Sequence, residues 1–521
     1  MRRIKIDQPG KALAVVICLV ICLSHVSSRA QVLPALQNNF AAYQKTNLQE
    51  KLYVHTNKNF YLTGEILWFK IYNTDGSTNK MLDISKVAYV ELLDSKHVSV
   101  LQAKIALDQG TGNGSFYLPF SLSNGNYRLR AYTNWMKNFD AGYFFDQQIS
   151  IVNPVKASLS QVKTTKPDYD VQFFPEGGHL VKGLNSKVAF KVTGPDGKGV
   201  DCSGAVIGPQ NDTVVKFSSL KFGIGSFAFT PSAQTGYKAI IRIGGSTVSK
   251  DLPEVNQSGD VMQVTEHGES WDVSVQSAGN AASVVYLVAH SRHTINQAGK
   301  ADMTNGSAHF TISKTQLNEG VNYLTLFDDH QRPLCERLIF KHPARKLVIN
   351  ADADAKIYNT RKKVSLTIAT HDQLNKSLPA NLSVSVFRLD SLQNETATHI
   401  AGYLWLAADV KGHIESPDYY LENNEESNQA LDNLLLSQGW TQFDWSKISA
   451  GDKPRFTFLP EYTGPIIAGK MINTLTNASA GGIKAYLTVA GMQHQLYVAK
   501  SDSNGRLLFN AKDFYGSNEL I

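Results

Sequence analysis

Three glycines at alternating positions form a segment that could bind a phosphate. Gly110, Gly112 and Gly114 have the open spacing of a phosphate-binding loop, in which backbone N–H groups and the start of a helix hold the anion. Such a loop begins a helix, whereas Gly114 here begins GSFYLPF, which has the two-residue period of a strand. The pattern therefore predicts a turn before a strand and no phosphate-bearing cofactor.

Histidine and aspartate pairs are the candidate metal ligands. His290 and His293 follow an apolar segment, but a metal site needs three or four protein ligands, and the sequence contains no His-Glu-x-x-His motif. Asp352 and Asp354 alternate along a segment of strand period, whereas calcium takes six or more oxygens from a curved loop. We therefore expect no metal site at either pair.

The sequence offers no nucleophile in a recognisable catalytic setting. A Gly-x-Ser-x-Gly turn does not occur, and no pair of acids stands out for glycoside hydrolysis. Cys202 and Cys335 are far apart in the sequence, and we expect two buried thiols in separate domains, with a single disulfide as the alternative. The prediction is a protein that is not an enzyme, with no catalytic residue, cofactor or metal.

Four aromatic residues are candidates for contact with a protein partner. Trp440, Phe443 and Trp445 cluster in GWTQFDW, and Trp135 lies in TNWMKNF. If exposed, they would suit a binding surface, because tryptophan is enriched in binding hot spots. If buried, they would cover neighbouring apolar side chains such as that of Leu434. The sequence leaves both alternatives open.

The N-terminus has the layout of a secretory signal peptide. Basic residues precede the apolar run ALAVVICLVICL (residues 12–23), and small residues at Ser28 and Ala30 predict cleavage after Ala30. The run is too short to span a membrane, and Ile21 disfavours the alternative of a lipid anchor at Cys22. We therefore expect a signal peptide at residues 1–30, secretion across the inner membrane, and no transmembrane segment in the mature chain.

The charge of the chain argues against a nucleic-acid ligand. The net charge is +6, but residues 1–30 contain five basic residues and one acidic residue, so the remainder has a net charge of only +2. A nucleic-acid-binding domain has a clustered basic surface. We expect no nucleic-acid partner.

Segments of strand period recur along the rest of the chain. GSFYLPFSLSNGNYRLRAYT and GSFAFTPSAQTGYKAIIRI, which begin at Gly114 and Gly225, share one layout of two alternating segments joined by a polar gap. The repeat recurs about every 100 residues, which is the size of one β-sandwich. The sequence therefore predicts an all-β chain of tandem, immunoglobulin-like antiparallel sandwiches.

Polar segments that contain proline separate the predicted domains. The expected organisation is a linker at residues 31–47, sandwiches at 48–154, 168–253, 262–343 and 345–460, and a partial sandwich at 461–521.

One segment departs from the strand period. ESNQALDNLLLSQGW (residues 426–440) places Leu431, Leu434 and Leu435 at helical spacing. Ser427 is the expected N-cap and Gly439 the expected C-terminal stop. We predict a small helical insertion in the fourth sandwich.

LYVHTNKNFYLTGEILWFKIY (residues 52–72) resembles the entry strands of the second macroglobulin-type domain of alpha-2-macroglobulins and complement proteins. The matching residues are Thr56, Lys58, Tyr61, Gly64 and Glu65. Asn57 stands where that family usually has an acid. The resemblance leads us to expect Tyr61 and Trp68 in the core and a tight turn at Gly64. Glu65 should cap that turn or face solvent.

The wider layout resembles a set of macroglobulin-domain proteins of Gram-negative bacteria, through FFPEGGHLVKGLNSKVAFKV (residues 173–192) and LLLSQGWTQFDW (residues 434–445). Members of that set often continue into a carboxypeptidase-regulatory-like sandwich and a TonB-receptor-type plug. GPIIAGKMINTLTNASAGGIKAYLTVAG (residues 464–491) resembles the start of such a region. The resemblance implies macroglobulin-like sandwiches in the periplasm or at the outer membrane, with outer-membrane receptor components as candidate partners.

Thioester macroglobulins trap proteases with a Gly-Cys-Gly-Glu-Gln motif, in which neither Cys202 nor Cys335 lies. We therefore predict a non-enzymatic binding or scaffold protein of the bacterial envelope, with a protein or peptide partner and an association with TonB-dependent uptake. The alternative is a thioester-less, macroglobulin-like endopeptidase inhibitor, with residues 416–428 as its bait loop.

Overall fold

A computed structural model describes residues 32–156, 168–233, 235–279, 282–292, 294–388, 398–438, 445, 448, 455–489 and 495–516. The chain forms two compact units. The first comprises Met1–Asn47, Thr165–Lys341 and Glu422–Pro454, and the second comprises Leu48–Thr164, His342–Leu421 and Arg455–Ile521. The predicted signal peptide at residues 1–30 lies outside the described residues.

The first described element is a helix, α1 (Val32–Thr46), in the first unit. Val32, Leu36 and Phe40 recur every four residues and are buried on one face of the helix. The helix packs against the third sandwich, described below. The residues predicted to form a linker, 31–47, thus contain a helix, because their apolar side chains recur at helical spacing between polar residues.

A complete sandwich begins the second unit. Its strands are β1 (Glu50–Thr56), β2 (Phe60–Leu62), β3 (Ile66–Asp75), β4 (Val87–Leu93), β5 (Ser99–Ala106), β6 (Thr111–Tyr117), β7 (Gly125–Tyr132) and β8 (Phe145–Val152). One sheet has the order β1-β3-β6 and the other the order β2-β8-β7-β4-β5, with all pairs antiparallel except β2–β8. Leu67, Phe69 and Ile71 of β3 point into the core between the sheets.

The second sandwich lies in the first unit. Its strands are β9 (Asp170–Pro175), β10 (Leu180–Val181), β11 (Ser186–Thr193), β12 (Ser203–Ile207), β13 (Thr213–Ser218), β14 (Ile224–Phe229), β15 (Lys238–Ile243), β16 (Ser246–Asp251) and β17 (Val255–Asn256). The main sheets have the orders β14-β11-β9 and β13-β12-β15-β16, and β10 pairs with β17. Phe190, Phe217 and Phe227 fill the core, with ring centroids 4.7 to 6.3 Å apart.

The third sandwich completes the β-structure of the first unit. Its strands are β18 (Gly259–His267), β19 (Ser270–Ala278), β20 (Val284–Ser291), β21 (Thr294–Asp302), β22 (Ser307–Ser313), β23 (Gly320–Phe327) and β24 (Pro333–Lys341). The sheets have the orders β18-β19-β22 and β21-β20-β23-β24. Every residue of β20 and β23 is buried, so both faces of these strands are covered.

Among the described residues of the predicted fourth sandwich, the strands are those of a two-stranded ribbon, β25 (Val348–Ala353) with β26 (Leu366–His371), in the second unit. Their register places Ile349, Leu366 and Ile368 on one face, together with Ala351 and Ala353. Ile349, Leu366 and Ile368 are 38 to 52% exposed. Short helical turns follow at Ile400–Gly402, Tyr403–Ala407 and Pro417–Leu421.

The predicted helical insertion exists as α2 (Glu425–Ser437). Its N-cap is Asn424, whose side chain accepts from the Ser427 N–H, and the Ser427 hydroxyl in turn accepts from the Asn424 N–H. The predicted N-cap at Ser427 is therefore wrong by one helical turn, because Ser427 is the reciprocal partner in a capping box. Gly439 lies outside the described residues.

α2 packs against β11, β14 and β24 in the first unit. Asp432 of α2 forms ion pairs with Arg337 and with Lys187, whose Nζ lies 2.6 Å from the carboxylate. Arg337 also pairs with Glu176 at 2.9 Å, and both of these side chains are 2% exposed. Burial alone would raise the pKa of Asp432, but Arg337 and Lys187 outweigh it and hold the pKa below its ordinary value. This ion-pair network ties the helix to the second and third sandwiches.

The remaining strands belong to the second unit. They are β27 (Ile466–Lys470), which pairs with β30 (Arg506–Asn510), and β28 (Lys484–Val489), which pairs with β29 (Gln495–Lys500). The structure confirms the predicted all-β class, while the proposed domain boundaries stay predictions.

Cys202 and Cys335 are free and buried, as expected, and burial raises the pKa of Cys335 to about 12. Among the described residues no helix is long and apolar enough to cross a membrane.

Candidate partner-binding surface

Four large side chains project into solvent from the first sandwich. Ile66, Trp68, Tyr117 and Phe120 are 41, 56, 55 and 52% exposed, and we call this group the Trp68 surface. Large exposed apolar patches on a folded protein mark sites of interaction. The group belongs to one domain with a filled core, so its geometry is fixed by that core.

Strand register brings these side chains together. Ile66 of β3 lies opposite Tyr117 of β6, and Trp68 lies opposite Ser115. Opposed residues of an antiparallel pair share a face, so Ile66, Trp68 and Tyr117 all project from the outer face of the sheet. Phe120 follows β6, and a Cβ placed at Gly64 would lie 2.9 Å from its Cζ atom. The turn at Gly64 thus adjoins the Phe120 ring.

The side chain of Asn57 fixes the backbone beneath Trp68. Its Oδ1 accepts from the Tyr61 hydroxyl at 2.7 Å and from the Trp68 N–H at 2.9 Å. The Asn57 N–H donates to the Trp68 carbonyl at 3.0 Å. Tyr61 is fully buried, as predicted, and burial raises the pKa of its hydroxyl, which keeps it a donor. One amide oxygen therefore joins the core tyrosine to the strand that presents Trp68.

Glu65 and Gly64 shape the neighbouring turn. The Glu65 carboxylate accepts from the Leu62 N–H at 2.8 Å and pairs with Lys58 at 2.7 Å, so Glu65 caps the turn. Lys58 also lies 4.8 Å from the centroid of the Tyr61 ring. Gly64 has φ +91°, a conformation that glycine adopts without strain. Lys58, Gly64 and Glu65, three of the residues that carry the family resemblance, thus lie at the rim of the Trp68 surface.

The prediction that Trp68 fills the core is wrong. Leu67, Phe69 and Ile71 take the inward positions of β3, which leaves Trp68 and Lys70 on the outer face. Both faces of this strand carry large apolar residues, so hydrophobicity alone does not identify the buried face. Lys70 could have identified the exposed face, because it lies two residues after Trp68 and therefore on the same side of the strand.

The other half of the same outer face is covered by the chain itself. Lys70 donates to the Leu382 carbonyl at 2.9 Å, and the Tyr72 hydroxyl donates to Ser383 Oγ at 3.0 Å. On β1, the Tyr53 hydroxyl donates to the Thr398 carbonyl at 2.8 Å. The sheet face is thus divided into a covered half and the exposed Trp68 surface.

The aromatic residues predicted from the sequence are placed differently. Trp135 is 9% exposed, its Nε1 donates to the Leu48 carbonyl at 2.7 Å, and its ring lies 4.6 Å from that of Phe456. Trp445 is 2% exposed and packs against Phe40 at 5.4 Å and Phe327 at 4.8 Å. Both therefore take the buried alternative, and contact with a partner stays a prediction.

Trp440 and Phe443 lie outside the described residues. They are the other two aromatic residues predicted to contact a partner. His293, the second residue of the predicted histidine pair, also lies outside the described part of the chain.

His290 lies beneath Trp445. Its Nε2 is 3.3 Å from Thr325 Oγ1, which in turn donates to Glu336 at 3.1 Å. Burial raises the pKa of Glu336 to about 7, against the effect of hydrogen bonds from Thr325 and Trp445. His290 thus belongs to a buried polar chain covered by aromatic rings.

The other motifs serve turns. Gly110 has φ +76° in the turn between β5 and β6, whereas Gly112 and Gly114 lie within β6, so the strand begins earlier than predicted. Asp354 accepts from the hydroxyl of Tyr358 and from the Ser365 N–H. One group of possible metal ligands, Asp328 to His330, occurs in the described part of the chain. There the Asp328 carboxylate accepts from the backbone of His330 and from Arg332, and so closes a hairpin.

The segment nominated as a bait loop is largely helical. Residues 416–428 contain the helical turn Pro417–Leu421 and the capped start of α2. Tyr420 within it is 1% exposed.

The comparisons with known proteins give no family. The sequence matches no protein-family model, and a search of curated proteins finds no relative. Among solved structures, an alpha-2-macroglobulin of Salmonella is 10% identical, with 63% of this chain and 26% of that chain covered and a TM-score of 0.17. This chain therefore spans about a quarter of that protein's length.

Two further structures are similar at the same level. Escherichia coli alpha-2-macroglobulin activated by porcine elastase is 10% identical, with 90% of this chain and 43% of that chain covered and a TM-score of 0.22. Domains 4–9 of the surface layer protein SbsC are 11% identical, with 63% and 54% covered and a TM-score of 0.22. At these scores the similarity assigns neither a family nor a function to the chain.

Proposed function

We propose that this chain is a non-enzymatic binding protein of the bacterial envelope, and that its first sandwich binds a protein partner through the Trp68 surface. One observation carries the proposal. Four large apolar side chains, each more than 40% exposed, lie together on a rigid domain. Their centre is a tryptophan, and tryptophan and tyrosine are enriched among the residues that dominate binding energy.

The surroundings of the Trp68 surface suit a protein interface. Interfaces combine an apolar centre with a polar, solvent-accessible rim. Here the rim includes the Lys58–Glu65 ion pair and the exposed Ser115. The hydrogen bonds of Asn57 hold the backbone of Trp68 in place before any partner arrives. A preformed surface binds with less loss of conformational entropy.

The envelope location rests on the N-terminal sequence, which resembles a secretory signal. The sequence resemblance to bacterial macroglobulin-domain proteins supports the same location, in the periplasm or at the outer membrane. It also makes components of TonB-dependent uptake the first partners to test.

Site-specific photo-cross-linking tests the proposal. A benzophenone amino acid replaces Trp68 in cells that produce the protein natively, and a second strain carries it at Tyr462, which is 62% exposed in the same unit. We expect illumination to give a discrete protein adduct from position 68 and none from position 462. Tyr117→Ala should weaken the adduct, because Tyr117 lies on the same surface.

The opposite pattern would overturn the proposal. Equal cross-linking from both positions would show non-specific collision, and no adduct from position 68 in cells or envelope fractions would show that no protein occupies the surface.

A further inference from the structure

The chain itself covers one half of the outer face of the sheet β1-β3-β6. The way it binds there indicates the class of partner that would bind the exposed half. Trp68, Lys70 and Tyr72 follow one another at two-residue spacing on the outer face of β3. Lys70 and Tyr72 bind residues 381–383 of the chain itself, whereas Trp68 is 56% exposed. The Trp68 surface is therefore continuous with an established contact within the second unit.

The occupant of the covered half is an irregular stretch of polypeptide. Residues 381–383 belong to no helix or strand. They are bound through both main chain and side chains: Lys70 donates to the Leu382 carbonyl and to the Asn381 amide oxygen, and Tyr72 donates to the Ser383 hydroxyl. This face thus binds a length of chain that has no regular secondary structure.

The uncovered half adds a free strand edge. β6 is the terminal strand of its sheet, and among the described residues it has a strand neighbour only on the β3 side. Near Gly112 the strand lies close to β5, since a Cβ there would be 2.5 Å from the Ala106 carbonyl oxygen. Further along β6, Ser115 and Tyr117 are exposed beside Trp68. An edge strand can accept an added strand through main-chain hydrogen bonds, with alternate side chains giving specificity.

We propose that the Trp68 surface binds an extended peptide segment of its partner, which pairs with the β6 edge and places apolar side chains at alternating positions against Trp68 and Tyr117. The inference rests on the proposed function and specifies its ligand class. The two-residue period matches the spacing at which β3 and β6 present their own outer residues. A helix would not make the edge hydrogen bonds, because its backbone N–H groups are bonded within the helix.

The test uses two synthetic peptides and the full chain. The first peptide alternates valine and threonine between terminal lysines, and the second carries N-methylvaline in place of each valine, which keeps the apolar side chain but removes the N–H that would donate to β6. Binding is measured by anisotropy of a labelled peptide. We expect the valine–threonine peptide to bind and the N-methylated peptide to fail.

Matched variants assign the binding to the surface. Trp68→Ala should weaken the affinity at least about tenfold, as expected for loss of a hot-spot residue. Tyr462→Ala should change it less than about twofold, because Tyr462 is similarly exposed but lies outside the surface. Tyr117→Ser serves as a second surface variant, and circular dichroism verifies that each variant is folded.

Each other outcome overturns the inference. Equal binding of both peptides would show apolar adsorption without strand pairing, and binding of neither would remove an extended peptide as the ligand. Self-association of the chain that Trp68→Ala abolishes would make a second copy the occupant. A protein adduct from position 68 combined with failure of both peptides would preserve the proposed function and reject only the peptide class.

Discussion

Two tryptophans on the outer faces of different sandwiches have opposite environments. Trp445 covers the third sandwich together with Phe40 of α1, and beneath it every residue of β20 and β23 is buried. Trp68 lies on the first sandwich, and no such cover reaches it, since it is 56% exposed. Where the chain supplies a cover, an apolar outer face is part of the fold. Where it does not, the face is available to a partner.

The comparison also separates two kinds of polar group. Under Trp445, Glu336 and His290 are joined through Thr325 in a buried environment. Around Trp68, the charged groups include Lys70 and the Lys58–Glu65 pair, in which the Lys58 and Glu65 side chains are 13% and 39% exposed. The polar groups of the two regions thus differ in their contact with solvent.

The largest expected loss of stability comes from removing the Trp445 side chain, which covers the third sandwich. Trp445→Ala should lower the free energy of opening β20 and β23 by about 3–5 kcal/mol, because it leaves a cavity against Phe40 and Phe327. Hydrogen exchange of peptides from these strands measures the loss. Trp68→Ala is the matched control and should change exchange in the first sandwich by less than about 0.5 kcal/mol. Comparable losses from both variants would remove the distinction between the two regions.

The next largest effect is a pH dependence of stability in the third sandwich, beneath Trp445. Burial raises the pKa of Glu336 from 4.5 to about 7, so the folded unit retains a proton that the unfolded chain releases between these values. Stability should therefore fall as the pH rises through that window, by up to about 3 kcal/mol, and change no further above it. Glu336→Gln should abolish this slope in the exchange of β24. A slope that persists in Glu336→Gln would assign it to another group.

Strand parity shows how far the sequence could predict the fold. In β11 the alternation is unambiguous, because Lys187 and Lys191 mark the outer face, and Val188, Phe190 and Val192 are fully buried. In β3 both faces of the strand carry large apolar residues, so the alternation alone does not show that Trp68 lies on the outer face. Local alternation therefore identifies a strand, but only the polar members of the pattern identify its buried side.

The covering elements were harder to predict, because they depend on contacts distant in sequence. Helical spacing in α2 was evident, but its place on the second and third sandwiches depends on Asp432 meeting Arg337 and Lys187. No local pattern encodes such pairings. The stripe of Val32, Leu36 and Phe40 in α1 was present in the sequence and was hidden among asparagine and glutamine residues that favoured a linker.

A smaller effect is expected at the rim of the Trp68 surface. Gly64→Ala should destabilise the first sandwich by about 1–2 kcal/mol, because φ is +91° there. It should also weaken peptide binding, since the new Cβ would lie 2.9 Å from Phe120 Cζ and displace that ring. Gly183→Ala is the control: its φ is +81° and no atom lies within 4 Å of the new Cβ. Thermal unfolding should register both variants, whereas peptide binding should fall only in Gly64→Ala.

The smallest change in stability is expected at Asn57, the residue that departs from the macroglobulin pattern. Asn57→Asp restores the usual acid and keeps an oxygen that can accept from the Tyr61 hydroxyl and the Trp68 N–H. Stability should therefore change by less than about 0.5 kcal/mol, whereas Asn57→Ala should cost about 1–2 kcal/mol by leaving the buried Tyr61 hydroxyl with one acceptor fewer. Urea unfolding of both variants measures the difference. Equal losses would mean that this position requires the amide nitrogen, and that the acceptor oxygen is not what holds the backbone of Trp68.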